Sequence, residues 1–267
     1  DGGVTVKDSW SNSEAYERYV GRWSSRVGES FLDWLNARKN ARWLDIGCGT
    51  GALSERILRS QEPSHLIGVE PSEAFLAAAK ERVQGENVEF RSGSGESLPV
   101  QDACIEYAVS GLVLNFVPDK DGAMRELLRV LAPGGIAACY VWDYAGHVQF
   151  MRYFWDAAVK LDPSARDKDE GVRFPICRPK PLRNLFESVG LREVRVAAID
   201  IPTPFESFDD YWQPFLADVA PAPGYCVSLD REHRAKLEAL VRDALPLDPD
   251  GMILLAARAW AVAGVRP

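Results

Sequence analysis

The chain has 267 residues, of which 46% are apolar and 26% charged. These proportions exclude a disordered chain, a fibre and a coiled coil, and the length allows one α/β domain with insertions. The net charge of −8, with no Lys/Arg run longer than two residues, repels phosphate backbones and anionic membranes, so nucleic acid is not an expected partner.

Other classes fall away on simple counts. The most apolar late stretch, Met252 to Gly264, is interrupted by Arg258 and falls short of the ~20 residues a membrane span needs. The start, Asp1-Gly2-Gly3, lacks a basic region followed by an apolar run, so no secretory signal is expected. The five cysteines are odd in number, widely spaced and form no C-x-x-C pair, and the three histidines lie far apart. No disulfide framework and no metal site are expected, and a cytoplasmic location with reduced thiols is.

In chain order, residues 13 to 35 read as an amphipathic helix. Tyr16, Tyr19, Val20, Trp23, Val27, Phe31 and Leu35 recur there at three- and four-residue steps. A short apolar run, Trp43 to Ile46, leads into Gly47-Cys48-Gly49-Thr50-Gly51 and a helical pattern from Ala52 to Arg59. A second run, His65 to Glu70, precedes a helix from Ser72 to Val83. Further strands are expected at Val88 to Arg91 and Ile105 to Ser110, then a helix over 121 to 132 that Pro133-Gly134-Gly135 stops. A fifth strand is expected at Ile136 to Trp142, then an aromatic helix around Phe150 to Val159, a helix at 181 to 189 and a strand at Glu193 to Ile201. A helix near 231 to 244 and a strand from Ile253 to Val262 complete the pattern. Strands alternating with helices imply a parallel sheet covered on both faces. The rhythm breaks over 145–180 and 204–249, which read as insertions forming a cap at the sheet's ligand edge.

The chemistry concentrates where the first strand ends. Leu44-Asp45-Ile46-Gly47-Cys48-Gly49-Thr50-Gly51 is a strand, a glycine-rich turn and the start of a helix, and Glu70 lies at the end of the next strand. Glycines let the backbone take positive φ and approach a ligand, and the helix N-terminus offers free N–H groups. An acid about 20 residues on suits a ribose diol. An adenosine-type ligand is therefore expected at the carboxyl edge of the sheet. A loose dinucleotide pattern, Gly47-x-Gly49-x-x-Ala52, keeps a nicotinamide-dependent oxidoreductase open as an alternative. Asp45 points the other way, since it suits an ammonium group and would repel a pyrophosphate.

These residues resemble the first motif of class I S-adenosylmethionine-dependent methyltransferases. Gly68-Val69-Glu70-Pro71-Ser72 is similar to their second motif, Glu96-Ser97-Leu98-Pro99 with Gln101-Asp102 to the segment after their third strand, and Leu131-Ala132-Pro133-Gly134-Gly135 to the turn before their fifth. The nearest branch is the small-molecule group that includes ubiquinone- and menaquinone-biosynthesis methyltransferases. The resemblance implies a doubly wound, mostly parallel seven-stranded sheet with an antiparallel last strand. It implies one methyltransferase domain over 1–267, with a helical cap at 1–40, a cofactor-binding core at 41–142 and the two insertions as substrate cap. S-adenosylmethionine is the implied cofactor and S-adenosylhomocysteine the product. Asp45, Gly47, Gly49 and Thr50 would line the methionine part, Glu70 the ribose, and Pro71, Ser72, Ser94, Gly95 and Glu96 the adenine side. Ser110 would face the sulfonium end. Ser94 stands where the family has an Asp or Asn. In the resembling branch an N-terminal helix covers the methionine end, which places Arg22 on the cofactor carboxylate and Tyr19 over the pocket.

Methyl transfer is an in-line displacement that needs mainly alignment and desolvation. If the acceptor must lose a proton, His147 and Tyr144, after the fifth strand, are the candidate catalytic residues. The aromatics Trp142, Tyr144, Phe150, Phe154, Trp155, Trp212 and Phe215 suit either an apolar acceptor pocket or the insertions' own core. The expected acceptor is a small apolar or aromatic molecule. After the fourth strand the chain reads Ser110-Gly111-Leu112-Val113, unlike the Asn/Asp-Pro-Pro-aromatic grip on a flipped base. A binding protein that keeps the cofactor without catalysis is the remaining alternative.

Overall fold

The computed structural model describes residues 13–267; Asp1-Gly2-Gly3, which carry the expectation of no secretory signal, lie outside them. The first elements are α1 (Ser13–Tyr16), α2 (Arg22–Leu35), β1 (Arg42–Ile46), α3 (Ala52–Ser60), β2 (His65–Glu70), α4 (Glu73–Arg82), β3 (Val88–Ser92) and β4 (Ile105–Gly111). They are followed by α5 (Lys120–Val130), β5 (Leu131–Trp142), α6 (Gln149–Leu161), α7 (Glu170–Arg173), α8 (Pro179–Ser188) and β6 (Arg192–Phe205). The last are α9 (Phe208–Trp212), α10 (Pro221–Ser228), α11 (Arg231–Ala244) and β7 (Ile253–Val265).

The chain divides into two compact units. One comprises the described residues up to Trp23, Asp143–Pro175 and Asp200–Ala257; the other comprises Ser24–Trp142, Ile176–Ile199 and Arg258–Pro267. The first 40 residues thus divide inside α2, and the 145–180 stretch divides after Pro175.

The seven strands form one sheet in the order β3-β2-β1-β4-β5-β7-β6; β1 to β5 lie in the second unit, with β6 up to Ile199 and β7 from Arg258. β1 pairs in parallel with β2 and β4, β2 with β3, and β4 with β5. β7 runs antiparallel to β5, from Ile136↔Val265 to Trp142↔Ala259. This is the doubly wound, mostly parallel seven-stranded sheet expected from the motifs, antiparallel last strand included. β1 lies between β2 and β4, so both its edges are paired, and Trp43 to Ile46 are buried without alternation, the pattern of a parallel strand covered on both faces. Trp43 stacks on its register partner Tyr107 of β4, with ring centres 4.7 Å apart and 19° between planes. The chain leaves β1 toward β2 and β3 on one side and returns to β4 and β5 on the other. That reversal opens a crevice at the carboxyl ends of β1, β2 and β4.

Two of the differences from the sequence reading have a visible local cause. The helix expected over 121 to 132 ends at Val130, and β5 starts at once with Leu131 opposite Ile105. The carbonyls of Arg129 and Val130 accept from the N–H groups of Ala103 and Cys104, so the helix end is tied to the lead into β4 instead of to another turn. Pro133 also holds the residue before it in extended backbone, and the Pro-Gly-Gly segment lies inside β5, where the pairing with β4 slips. The single helix expected over 13–35 is interrupted by a π-helical turn at Glu17–Gly21. A Cβ at position 21 would meet the Glu17 carboxyl at 2.4 Å, so glycine lets that side chain lie across the wide turn.

The first unit has a core of its own. Phe154 and Phe215 stack at 4.6 Å with 1° between planes, and the Tyr211 hydroxyl donates to the Phe150 carbonyl at 2.6 Å. Arg152 grips Asp169 with two bonds, at 2.9 and 2.8 Å. Among the described residues, no helix is long and apolar enough to cross a membrane.

Glu170 is buried in this core, and the Trp155 indole N–H donates to its Oε2. Burial pushes its carboxyl up to about 7, against the lowering influence of hydrogen bonds from its own backbone N–H and from Trp155. A carboxyl raised in the folded state contributes stability that is lost as pH climbs through that value, on the order of a few kcal/mol in all. Glu170→Gln keeps an acceptor for Trp155 and removes the charge. Thermal unfolding should show no gain for the variant at pH 5 and a higher melting temperature than wild type at pH 8; parallel pH profiles would refute the assignment.

Candidate functional site

The crevice in the second unit is built from three strand ends. At the end of β1, the N–H groups of Gly47 and Cys48 both donate to the Val69 carbonyl, at 2.8 and 3.0 Å, and Gly51 N–H closes the turn on the Cys48 carbonyl at 2.9 Å. Gly47, Gly49 and Gly51 have φ of 68°, 55° and 86°, values that side chains with a Cβ rarely adopt. At Gly47 an added Cβ would strike the Val113 methyls at 2.8 Å, and at Gly49 it would meet nothing within 4 Å. The first glycine therefore lets the chain after β4 pack against the turn. The second leaves the backbone open to a ligand. The Cys48 thiol is buried and pushed up by desolvation and by Asp45 and Glu70, so it stays protonated and fills space.

Asp45 is 1% exposed. Ser54, on the first turns of α3, donates to its Oδ2 at 2.6 Å. Burial, with a smaller push from Glu70, lifts the Asp45 carboxyl to about 7, and the Ser54 bonds oppose that lift. A buried acid poised there becomes a full negative charge when a cation arrives. Glu70 ends β2. Its Oε2 accepts from Gly49 N–H and its Oε1 from Ser72 N–H, both at 3.0 Å. Burial raises its carboxyl while these two N–H groups lower it. Each oxygen keeps a lone pair for a further donor, the arrangement a vicinal diol requires.

The remaining predicted residues occupy the same edge with different duties. Pro71 is exposed, and the Ser72 hydroxyl caps α4 by accepting from Phe75 N–H at 3.3 Å. Ser94 and Gly95 are half-buried, and a Cβ on Gly95 would touch Ile46 at 3.5 Å, which brings the loop after β3 to the end of β1. Glu96 is exposed and accepts from Asp119 N–H at 2.9 Å, just before α5. Thr50 is half-buried in the turn, and Ser110, in β4, is 8% exposed.

Tyr19, Arg22, Tyr144 and His147 belong to the first unit. The Tyr19 ring meets Phe150 and Phe215 edge-on, at 5.9 and 5.3 Å, and burial raises its phenol well above the usual range. Arg22 gives Nη1 to Asp210 at 2.8 Å, and its guanidinium lies over Trp23 and Phe205. Tyr144 is buried beside Phe174, and His147 is half-buried, its backbone N–H on the Asp143 carbonyl. Phe150, Phe154, Trp155, Trp212 and Phe215 are each at most 2% exposed; Phe154 packs on Trp155, Trp212 and Phe215, and Phe150 on Tyr19 and Phe205, as core.

Two residues escaped the sequence reading. Ser54 looks like any small residue of a helical pattern; only its position nine residues after an in-strand acid signals the bond. Arg129 donates to both Glu126 oxygens, Asp102 and the carbonyls of Leu98 and Val100, so one side chain on α5 fixes the segment after β3. It reads in the sequence as an ordinary helix-end cation.

A family model described as a methyltransferase domain matches residues 44–139, the span of the motifs and of β1 to β5. With the crevice built from Asp45, the glycine turn and Glu70, this defines a class I S-adenosylmethionine-dependent methyltransferase. Among particular enzymes, the chain is similar to the demethylmenaquinone methyltransferase of Staphylococcus aureus, with 29% identity over 204 residues, 71% of this chain and 81% of the relative. The fold matches YcgJ of Bacillus subtilis (18% identity, TM-score 0.58, 92% of this chain and 98% of that one). It also matches a phosphoethanolamine N-methyltransferase of Haemonchus contortus with S-adenosylhomocysteine bound (16%, TM-score 0.61, 95% and 56%). The hydride-transfer alternative is set aside.

The residues present fit the cofactor. Asp45 would supply an acid for an ammonium group, Glu70 two acceptors for ribose hydroxyls, and Gly49 an open stretch of main chain. Because Asp45 is protonated below about 7, binding of the product's ammonium should require loss of that proton. Calorimetry with S-adenosylhomocysteine should give affinity that tightens roughly tenfold from pH 6 to pH 8. Asp45→Asn should bind more weakly at pH 8 and show a flat pH profile; an unchanged slope would remove Asp45 from the site.

Proposed function

We propose that the chain transfers a methyl group from S-adenosylmethionine to a small, apolar or aromatic acceptor, and that Glu70 is the residue on which cofactor binding turns. The observation that carries the reading is the Glu70 carboxylate, held between Gly49 and Ser72 with one lone pair left on each oxygen. The relative named for demethylmenaquinone supports a quinol-type acceptor. The chain after β4, Ser110-Gly111-Leu112-Val113, supports a small molecule over a flipped base.

When bound, S-adenosylmethionine supplies a sulfonium-activated methyl group with a neutral thioether as leaving group. The protein's part is placement. Asp45, braced by Ser54, would hold the ammonium. Glu70 would fix the ribose, with Pro71, Ser72, Ser94 and Gly95 toward the base. Gly47, Gly49 and Thr50 would present main chain to the methionine part, and Ser110 would face the sulfonium. Orientation of this kind removes the entropy of bringing two reactants together. Tyr19 and Arg22 stay assigned to the methionine end. Where the acceptor must lose a proton we assign its removal to His147, whose ring makes no hydrogen bond among the described residues, with Tyr144 as the second candidate.

Glu70→Ala should weaken S-adenosylhomocysteine at least tenfold, about 1.4 kcal/mol. Radiolabelled methyl transfer should occur to a reduced short-chain demethylmenaquinone and not to phosphomonomethylethanolamine. Label on the amine alone, or a Glu70→Ala protein with unchanged affinity, would overturn the reading.

A further inference from the structure

β4 ends in a turn that the mechanism above does not use. Gly111 packs so close to β5 that a Cβ there would lie 2.5 Å from the Tyr140 hydroxyl oxygen, and Leu112 N–H donates to the Tyr140 carbonyl at 2.8 Å. Leu112 has φ of 60°, a left-handed conformation that a bulky side chain holds only under constraint. Val113 then abuts Gly47 of the cofactor turn, and a single 3-10 turn, Leu114–Phe116, follows.

The middle residue of that turn is Asn115. It is 3% exposed, and neither its Nδ2 nor its Oδ1 has a hydrogen-bond partner. A carboxamide carries two donors and two acceptor sites, and leaving them all unmade in the interior is among the more destabilising arrangements a fold can keep. Trp142 Nε1, a second buried donor without a partner, ends the neighbouring strand β5. The unused amide is thus on the same unit and the same sheet edge as Asp45, Glu70 and Ser110, one short turn beyond the residue assigned to the sulfonium.

We propose that Asn115 binds the methyl acceptor, its amide holding a neutral hydroxyl or carbonyl oxygen. This rests on the small-acceptor reading given above and narrows its chemical class. A carboxamide both donates and accepts, which matches a phenol, an enol or a carbonyl and carries no charge to balance a phosphate. The acids Asp45 and Glu70 on the same edge disfavour an anionic head further. Asn115 is in this sense a specificity residue: it selects the acceptor and leaves the cofactor untouched.

The test uses Asn115→Leu, close in size and without polar atoms, and Asn115→Ala. Three quantities are read: melting temperature, S-adenosylhomocysteine affinity by calorimetry, and KM for a reduced short-chain demethylmenaquinone. Asn115→Leu is expected to melt about 2 °C or more above wild type, since it removes an unsatisfied buried amide. Both variants are expected to bind S-adenosylhomocysteine as wild type does and to raise KM for the quinol at least tenfold. Unchanged KM in both variants overturns this assignment alone. A tenfold loss of S-adenosylhomocysteine affinity overturns it in favour of a cofactor contact, and a lower melting temperature for Asn115→Leu overturns it in favour of a structural bond. A wild type that methylates no quinol overturns the acceptor class under Proposed function, and this assignment with it.

Discussion

The Glu70 carboxylate is the constraint from which the rest of the crevice follows. It sits at the end of β2 and takes one main-chain N–H from the glycine turn and one from the start of α4. Those two bonds do more than hold the acid. They set the distance between the turn that follows β1 and the helix that follows β2, and so fix the width of the crevice between them. Desolvation works against the charged form, and the same two N–H groups work for it. The carboxylate is therefore oriented before any ligand arrives, and its remaining lone pairs have little freedom left to lose on binding.

Asp45 answers a different problem. It stands one residue before the last position of β1, almost wholly buried, in line with the buried apolar side chains of Trp43, Leu44 and Ile46. An ionised acid there would be poorly tolerated without the Ser54 hydroxyl. The fold keeps it at the edge between neutral and charged, so a cation placed beside it would decide its state. Two acids on one sheet edge also make a local field that welcomes a cation and turns away phosphates.

Much of this was legible in the sequence because local rules and tertiary demands agree. His65 to Glu70 is a strand at those same bounds, since an apolar run flanked by turns has one reading when both faces are buried. The motif order located the crevice. The misread elements are those where distant partners decide. Nothing near Leu131 announces that β4's lead-in will capture the helix-end carbonyls. Nothing in Glu17 to Gly21 distinguishes a wide turn from a regular one. Ser54, Arg129 and Asn115 were invisible for a related reason: the property that matters, a bond made or left unmade across the fold, belongs to a pair of positions far apart in the chain. The aromatic residues after β5 read equally well as pocket wall or as core, and packing, which composition does not encode, resolved the innermost of them as core.

The open side of Gly49 has one more implication. A cradle formed of peptide groups is recognised through backbone shape, which every amino acid of suitable dihedral preference reproduces equally. A neighbouring half-buried position such as Thr50 is thereby released from strict chemical identity, because the proposed contact is made by the peptide chain and not by its side chain. The same economy leaves the turn poor as a handle for altering specificity: changing what this protein accepts would have to begin elsewhere, on side chains and not on the peptide chain itself.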